Sequence, residues 1–199
     1  MPDLSRTSRR LILHDRVEGA DIQELAQRAG WTFLGDIDRD PERGVFYEAK
    51  WDIGNGGSAH YIVDEFADVP YMVVVHEDPS VTDETLATIE QSLAVWTVDE
   101  MLEDCYVNVW PAGWVKALLR VGAGAPLSAV PEIVEHIEFS AEHKYAEVRR
   151  AAVWAMTYTA WPEFQGCLTR LSGTDEDEEV AREAGLALEQ LAESGVIEL

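Results

Sequence analysis

"AEVRRAAVWAM" (residues 146–156) and "EEVAREAGLAL" (residues 178–188) are one helix written twice. Laid over each other they share Glu147/Glu179, Val148/Val180, Arg150/Arg182, Ala152/Ala184 and Ala155/Ala187. Val148, Ala151, Ala152 and Ala155 recur at three-to-four spacing, as do Val180, Ala184, Ala187, Leu188 and Leu191, so each copy carries one apolar stripe. Small residues in that stripe let two helix axes approach closely.

The repeated unit is a helix pair. "PEIVEHIEFS" from Pro131 precedes the first copy, and "PEFQGCLTRLS" from Pro162 lies between the two. Proline at the first helical position loses no needed hydrogen bond, and the glutamate after it favours the positive end of the helix dipole. Ile133, Val134 and Ile137 in one unit, and Phe164, Cys167, Leu168 and Leu171 in the other, form the buried stripes. Gly173 is expected to end a helix, with Thr174 or Asp175 capping the next. An earlier, degraded pair is expected in "DEMLEDCYVNVW" and "AGWVKALLRVGAG", where Leu118, Leu119 and Gly122 take the places of Ala151, Ala152 and Ala155. The competing reading is a plain helical bundle with two similar helices.

The spacing of 31 positions between Pro131 and Pro162 and 32 between Val148 and Val180, with Glu-Val-Arg followed by spaced alanines, resembles the HEAT repeat, especially its short, phycobilisome-lyase-like form. The residues that carry the likeness are Glu147, Val148, Arg149, Arg150, Ala152 and Ala155, then Glu179, Val180, Arg182, Ala184 and Ala187; the second copy departs from it at Ala181. The resemblance implies about three helix pairs over residues 98–199. It also brings in three functions: protein recognition on an ordered helical face, bilin attachment, and DNA glycosylase activity.

Residues 1–97 read as a separate α+β domain. "ADIQELAQRAG" is a short amphipathic helix stopped by Gly30. "WTFLGDI", "VFYEAKWDI", "AHYIVDEF" and "VPYMVVVHED" are β-prone, and Asn55-Gly56-Gly57 between two of them signals a hairpin. A meander of three or four antiparallel strands follows, then a helix in "VTDETLATIEQSL" with Thr82 as its cap. The expected fold class is α+β: a small antiparallel sheet with flanking helices, then an all-α stack. The first domain either caps that stack or binds a partner in its own right.

Charge narrows the functions. The 199 residues hold 15 Lys+Arg against 38 Asp+Glu, a net −23. Such a surface repels nucleic acid and anionic membranes, which opposes the glycosylase reading. Three origins for the acidity stay open: a basic partner, a high-GC genome, or the lysine-poor adaptation to salt that the scarcity of lysine (Lys50, Lys116 and Lys144 only) resembles. No apolar run reaches the ~20 residues of a membrane span, and "LIL" after the basic start is too short for a signal peptide, so a cytoplasmic protein is expected.

The sequence offers no catalytic constellation. GxSxG and HExxH are missing, "GNGGS" lacks the ending of a phosphate loop, and Cys105 and Cys167 read as buried thiols. The candidates for a divalent cation are His60, His76 and Asp64 on adjacent predicted strands. His136 and His143 flank a helix end, where the dipole favours them. Among seven tryptophans, Trp110, Trp114, Trp154 and Trp161 either fill gaps between helices or serve as interface anchors. The candidate partner-binding residues are therefore Trp154, Trp161, Arg149, Arg150 and Arg182. No cofactor is expected, and the expected partner is another protein: a non-catalytic adaptor, or an acidic inhibitor or immunity-type protein that masks a cationic surface.

Overall fold

A computed structural model describes residues 7–40, 42 and 46–198. The chain is α+β and divides into two compact units, residues 1–97 and 98–199.

The first unit is built on a five-stranded antiparallel sheet in the order β1-β5-β4-β3-β2. Strands β2 (Thr32–Ile37), β3 (Tyr47–Gly54), β4 (Gly57–Asp64) and β5 (Val69–Val75) form the meander, and β1 (Leu11–Ile12) pairs with β5. The β3–β4 hairpin turns at Asn55 and Gly56, with φ of 50° and 81°, as a two-residue turn with both central residues at positive φ requires. Alternation along the strands buries Ala49 and Trp51, Ala59, and Met72 and Val74 on one face. Ile22, Leu25 and Ala26 of α1 (Gly19–Arg28) and Leu86 and Ile89 of α2 (Pro79–Ser92) complete that core. The cap of α2 lies four residues before the expected Thr82: Asp78 caps the helix by accepting from the Ser80 N–H, and Pro79 fills the first helical position. Asp78 offers a carboxylate to the free N–H groups, which Thr82, already inside the helix, does not.

Strand β1 makes the sheet five-stranded, where three or four strands were expected. Leu11, Ile12 and Leu13 are all buried, and Leu11 and Leu13 belong to the core. At the opposite edge, β2 leaves Phe33, Leu34 and Ile37 exposed beside a bulge at Gly35 (φ 133°).

The second unit is three helix pairs: α3 (Val98–Val107) with α4 (Pro111–Gly124), α5 (Pro131–Ser140) with α6 (Ala146–Thr159), and α7 (Gln165–Thr174) with α8 (Glu178–Glu193). The second members stack on one another, α4 on α6 and α6 on α8. Helix α4 is buried all along Ala117–Gly124, and the one charged residue of that stretch, Arg120, is paired with Asp104. Gly122 is the point of closest approach, since a β-carbon there would stand 2.6 Å from Ala155 Cα. Val148 and Val180 occupy matching places in the first turn of α6 and α8, both fully buried, and Ala152, Ala155, Ala184 and Ala187 follow them inward. Pro162 opens a short 3₁₀ turn, Pro162–Phe164, rather than α7 itself. The cap of α8 is Asp177, which accepts from the N–H groups of Glu179 and Val180, and not the expected Thr174 or Asp175.

Candidate functional site

The arginines chosen from the sequence are committed within the helical unit. Arg149 forks onto Asp175 (2.7 and 2.8 Å) and donates to the His143 carbonyl, with both side chains of the ion pair buried. Arg150 forks onto Glu183, which also accepts from the Trp154 indole at 2.8 Å and has Arg182 beside it at 3.6 Å. Arg150, Arg182 and Trp154 thus converge on one carboxylate between α6 and α8. Trp161 is 2 % exposed, lies parallel to Phe164 and donates to the Pro126 carbonyl, so it is a core residue and not an interface anchor. Arg149 is corrected in the same way: burial and three hydrogen bonds leave it nothing to offer a partner. Arg120 and Arg170 are bound to Asp104 and Glu142.

The metal candidates do not converge. His60 bridges Glu48 and Ser58 through its two ring nitrogens, which leaves no lone pair for a cation. His76 accepts from the Asp78 N–H, and Asp64 accepts from the N–H groups of Phe66 and Ala67 at the far end of β4. Among the described residues no group of three or more His, Cys, Asp or Glu side chains is placed to hold a metal ion.

A different site emerges where α3, α4 and α5 meet. A cleft of about 330 Å³ is lined by Cys105, Tyr106, Asn108, Val109, Trp114, Glu135, His136 and Phe139. The chain builds it by breaking α3 at Val107 and restarting at Pro111. Asn108 closes the end of α3 by donating to the Asp104 carbonyl and carboxylate, and Gly113 leaves room for it, since a β-carbon there would stand 2.3 Å from Asn108 Oδ1. Trp114 is pinned to α5: its indole N–H donates to Ser140 Oγ (3.0 Å), whose hydroxyl donates to the His136 carbonyl. Tyr106 meets the His136 ring edge-on at 5.1 Å, and Trp114 lies nearly parallel to His136 and Phe139 at 6.1 and 6.2 Å.

Around this cleft the rings are bare. Tyr106 is 64 % exposed, Phe139 65 % and Trp110, at the start of α4, 78 %. Burial pushes the Cys105 thiol up to about 12, so it is protonated at neutral pH and no nucleophile. Burial also lowers His136 below the usual imidazole value of 6.5, and its Nε2 is enclosed with no hydrogen-bond partner among the described residues. A histidine held neutral on folding makes stability fall with pH, because the unfolded chain takes up the proton first. The stability lost below pH 6.5, at most about 1.4 kcal/mol per pH unit, should vanish in His136→Phe, as read from urea midpoints of both proteins at pH 7.5 and 5.5. The same slope in both proteins would place the titration elsewhere.

His136 and Trp114 are legible in the sequence as residue types, but their convergence with Tyr106 from three helices is not. The one available signal is the crowding of Tyr106, Trp110 and Trp114 around a predicted helix break. No protein-family model matches the sequence, and no curated protein or solved structure is significantly similar to it. Among the described residues no helix is long and apolar enough to cross a membrane.

Proposed function

We propose that this chain is a non-catalytic binding protein whose helical unit, a short stack of HEAT-like helix pairs, docks a basic protein on an acidic, aromatic surface. One observation carries the reading: the unit ties its own arginines to internal carboxylates while leaving aromatic rings and carboxylates open to solvent. Residues 98–199 hold 19 Asp+Glu against seven Lys+Arg. With Arg120, Arg149, Arg150, Arg170 and Arg182 all engaged in ion pairs, the surface field is negative. Exposed Tyr and Trp in such a field are the residues that anchor protein interfaces, while the charge speeds encounter with a cationic partner. The HEAT likeness is supported by the α4–α6–α8 layer and by the matched burial of Val148 with Val180. An acidic inhibitor or immunity-type protein is the specific form of this reading.

The experiment is capture from the native lysate on immobilised protein, followed by association kinetics of any retained cationic protein at 50 and 300 mM salt. A basic protein whose association slows by about tenfold or more over that range supports the reading. Retention of no basic protein, or rates indifferent to salt, rejects it. A small-molecule reading draws on the same cleft between α3, α4 and α5. A visible absorbance shift on mixing with a free bilin would put that reading in its place.

A further inference from the structure

Three features of the cleft define its occupant. Its walls are rings: Tyr106, Trp114 and Phe139 line it, and none of them donates or accepts a hydrogen bond inside it apart from the Trp114 indole, which is spent on Ser140. Its only charged lining residue is Glu135, which is exposed and has no partner among the described residues. Among the described residues no lysine or arginine lines it, and the basic groups around it are engaged elsewhere: Arg120, whose charge reaches Cys105, is paired with Asp104, Lys144 lies over the Tyr145 ring at 4.8 Å, and His143 packs against Trp114 without lining the cavity. Glu132, exposed in the first turn of α5, adds a second carboxylate to that helix.

An acid or phosphate would meet a carboxylate and no cation in this cleft. A purely apolar guest would leave the exposed Glu135 beside it without a partner and draw nothing from its charge. A cation answers both conditions, since ring faces attract it through their quadrupoles and the carboxylate supplies the opposite charge. Among protein-borne cations, guanidinium fits best: it is planar, more weakly hydrated than an ammonium, stacks on ring faces and pairs with a carboxylate through a fork of donors. The cavity, about 330 Å³, stands at the small end of the ~300–1,000 Å³ range of ligand pockets, room for one long side chain with its flanking peptide.

We propose that the α3–α4–α5 cleft receives an arginine side chain of the basic partner, its guanidinium laid against Tyr106, Trp114 and Phe139 and paired with Glu135. The proposal rests on the protein-binding reading above and names its anchor point. His136 serves it as a neutral wall that adds no competing positive charge.

The probe is a blocked single residue, N-acetyl-arginine methylamide, set against its citrulline counterpart, which has the same shape and no charge. The readout is the indole N–H resonance of Trp114 in the full chain, identified by its loss in Trp114→Phe. The arginine probe should move that resonance with an affinity of roughly millimolar order, and the citrulline probe about tenfold more weakly, the worth of one cation–π and ion-pair contact. Tyr106→Leu and Glu135→Gln, both at exposed positions, should each weaken the arginine probe about fivefold with an unchanged unfolding midpoint. Equal binding of the two probes, or no movement at Trp114 up to 50 mM, overturns the proposal. It is equally overturned if the captured basic protein binds Tyr106→Leu and Glu135→Gln as it binds the wild type. In that last case the protein-binding reading stands, because the partner docks elsewhere. Where instead the arginine probe binds the cleft but no basic protein is retained, the cleft's specificity is upheld and the adaptor reading falls.

Discussion

Gly122→Val should unfold the helical unit at temperatures where the wild type is intact. A β-carbon at position 122 would stand 2.6 Å from Ala155 Cα, 2.8 Å from Ala155 Cβ and 3.1 Å from the Ala155 carbonyl oxygen. Two of these three atoms are backbone, so no rotamer change relieves the clash; α4 and α6 must separate. Separation opens a seam in which Leu118, Val121, Ala152 and Met156 are fully buried. The cost therefore adds lost packing to overpacking and reaches about 3 kcal/mol or more, at or above the upper end for an inserted side chain in a packed core. For a unit of about 100 residues that is a fall of roughly 12 °C or more in midpoint. Gly122→Ala should cost less, and the pair Gly122→Ala with Ala155→Gly should recover part of the loss, because one of the three close atoms is then gone. Thermal unfolding followed by circular dichroism at 222 nm measures all three variants. A midpoint for Gly122→Val within a few degrees of the wild type would mean that the two axes are not in contact at this point.

Gly122 also marks how far the sequence carries. The sequence sets Gly122 in the place of Ala155 in an earlier, degraded unit; the structure lays the two small residues against each other, as close contact of two helix axes demands. The paired burial of Val148 and Val180 was legible for the same reason: a 3.6-residue period records which face is covered. So was the hairpin, since Asn55 and Gly56 are chosen for backbone conformation. What periodicity does not record is short or long in range. Strand β1 spans two residues, too few to alternate, although Leu11 pairs across to Met72 and is wholly buried. The cleft joins residues from 105 to 139 in three helices, and nothing local to Cys105 or Phe139 announces the other.

The arginines illustrate a sharper limit. A helical wheel places Arg149 at the margin of the apolar stripe of α6, from which a long side chain reaches either solvent or a neighbouring loop. The sequence around 175–179 is so acidic that a carboxylate within reach is assured, yet which one is taken depends on where α7 ends. With α7 running through Thr174, Asp175 arrives beneath Arg149 and Asp177 is left to cap α8. Asp175 and Asp177, two positions apart in the same loop, thus receive separate duties from a difference of half a turn.

That division of labour makes the Arg149–Asp175 pair the unit's most sensitive polar contact. The side chains are 8 % and 3 % exposed, the guanidinium forks onto both carboxylate oxygens, and its third nitrogen donates to the His143 carbonyl. Asp175 also accepts from the Asp177 N–H. Removing the guanidinium in Arg149→Met leaves a buried carboxylate with little compensation, and the expected loss is about 3–5 kcal/mol. Combining it with Asp175→Asn should cost clearly less than the two single losses together, because the second change removes the charge that the first had stranded. Acid separates this ion pair from mere packing. The bond to Arg149 holds Asp175 below the ordinary carboxylate value of 3.8, so the unfolded chain binds the proton first. The pair's contribution is complete above that value and is lost as pH falls through it towards the lower folded value. The gap between wild type and Arg149→Met in urea unfolding should therefore be widest at pH 7 and narrow markedly by pH 3. A gap of the same size at both would trace the loss to the missing aliphatic stem of Arg149, and the charge pair would then contribute nothing of its own.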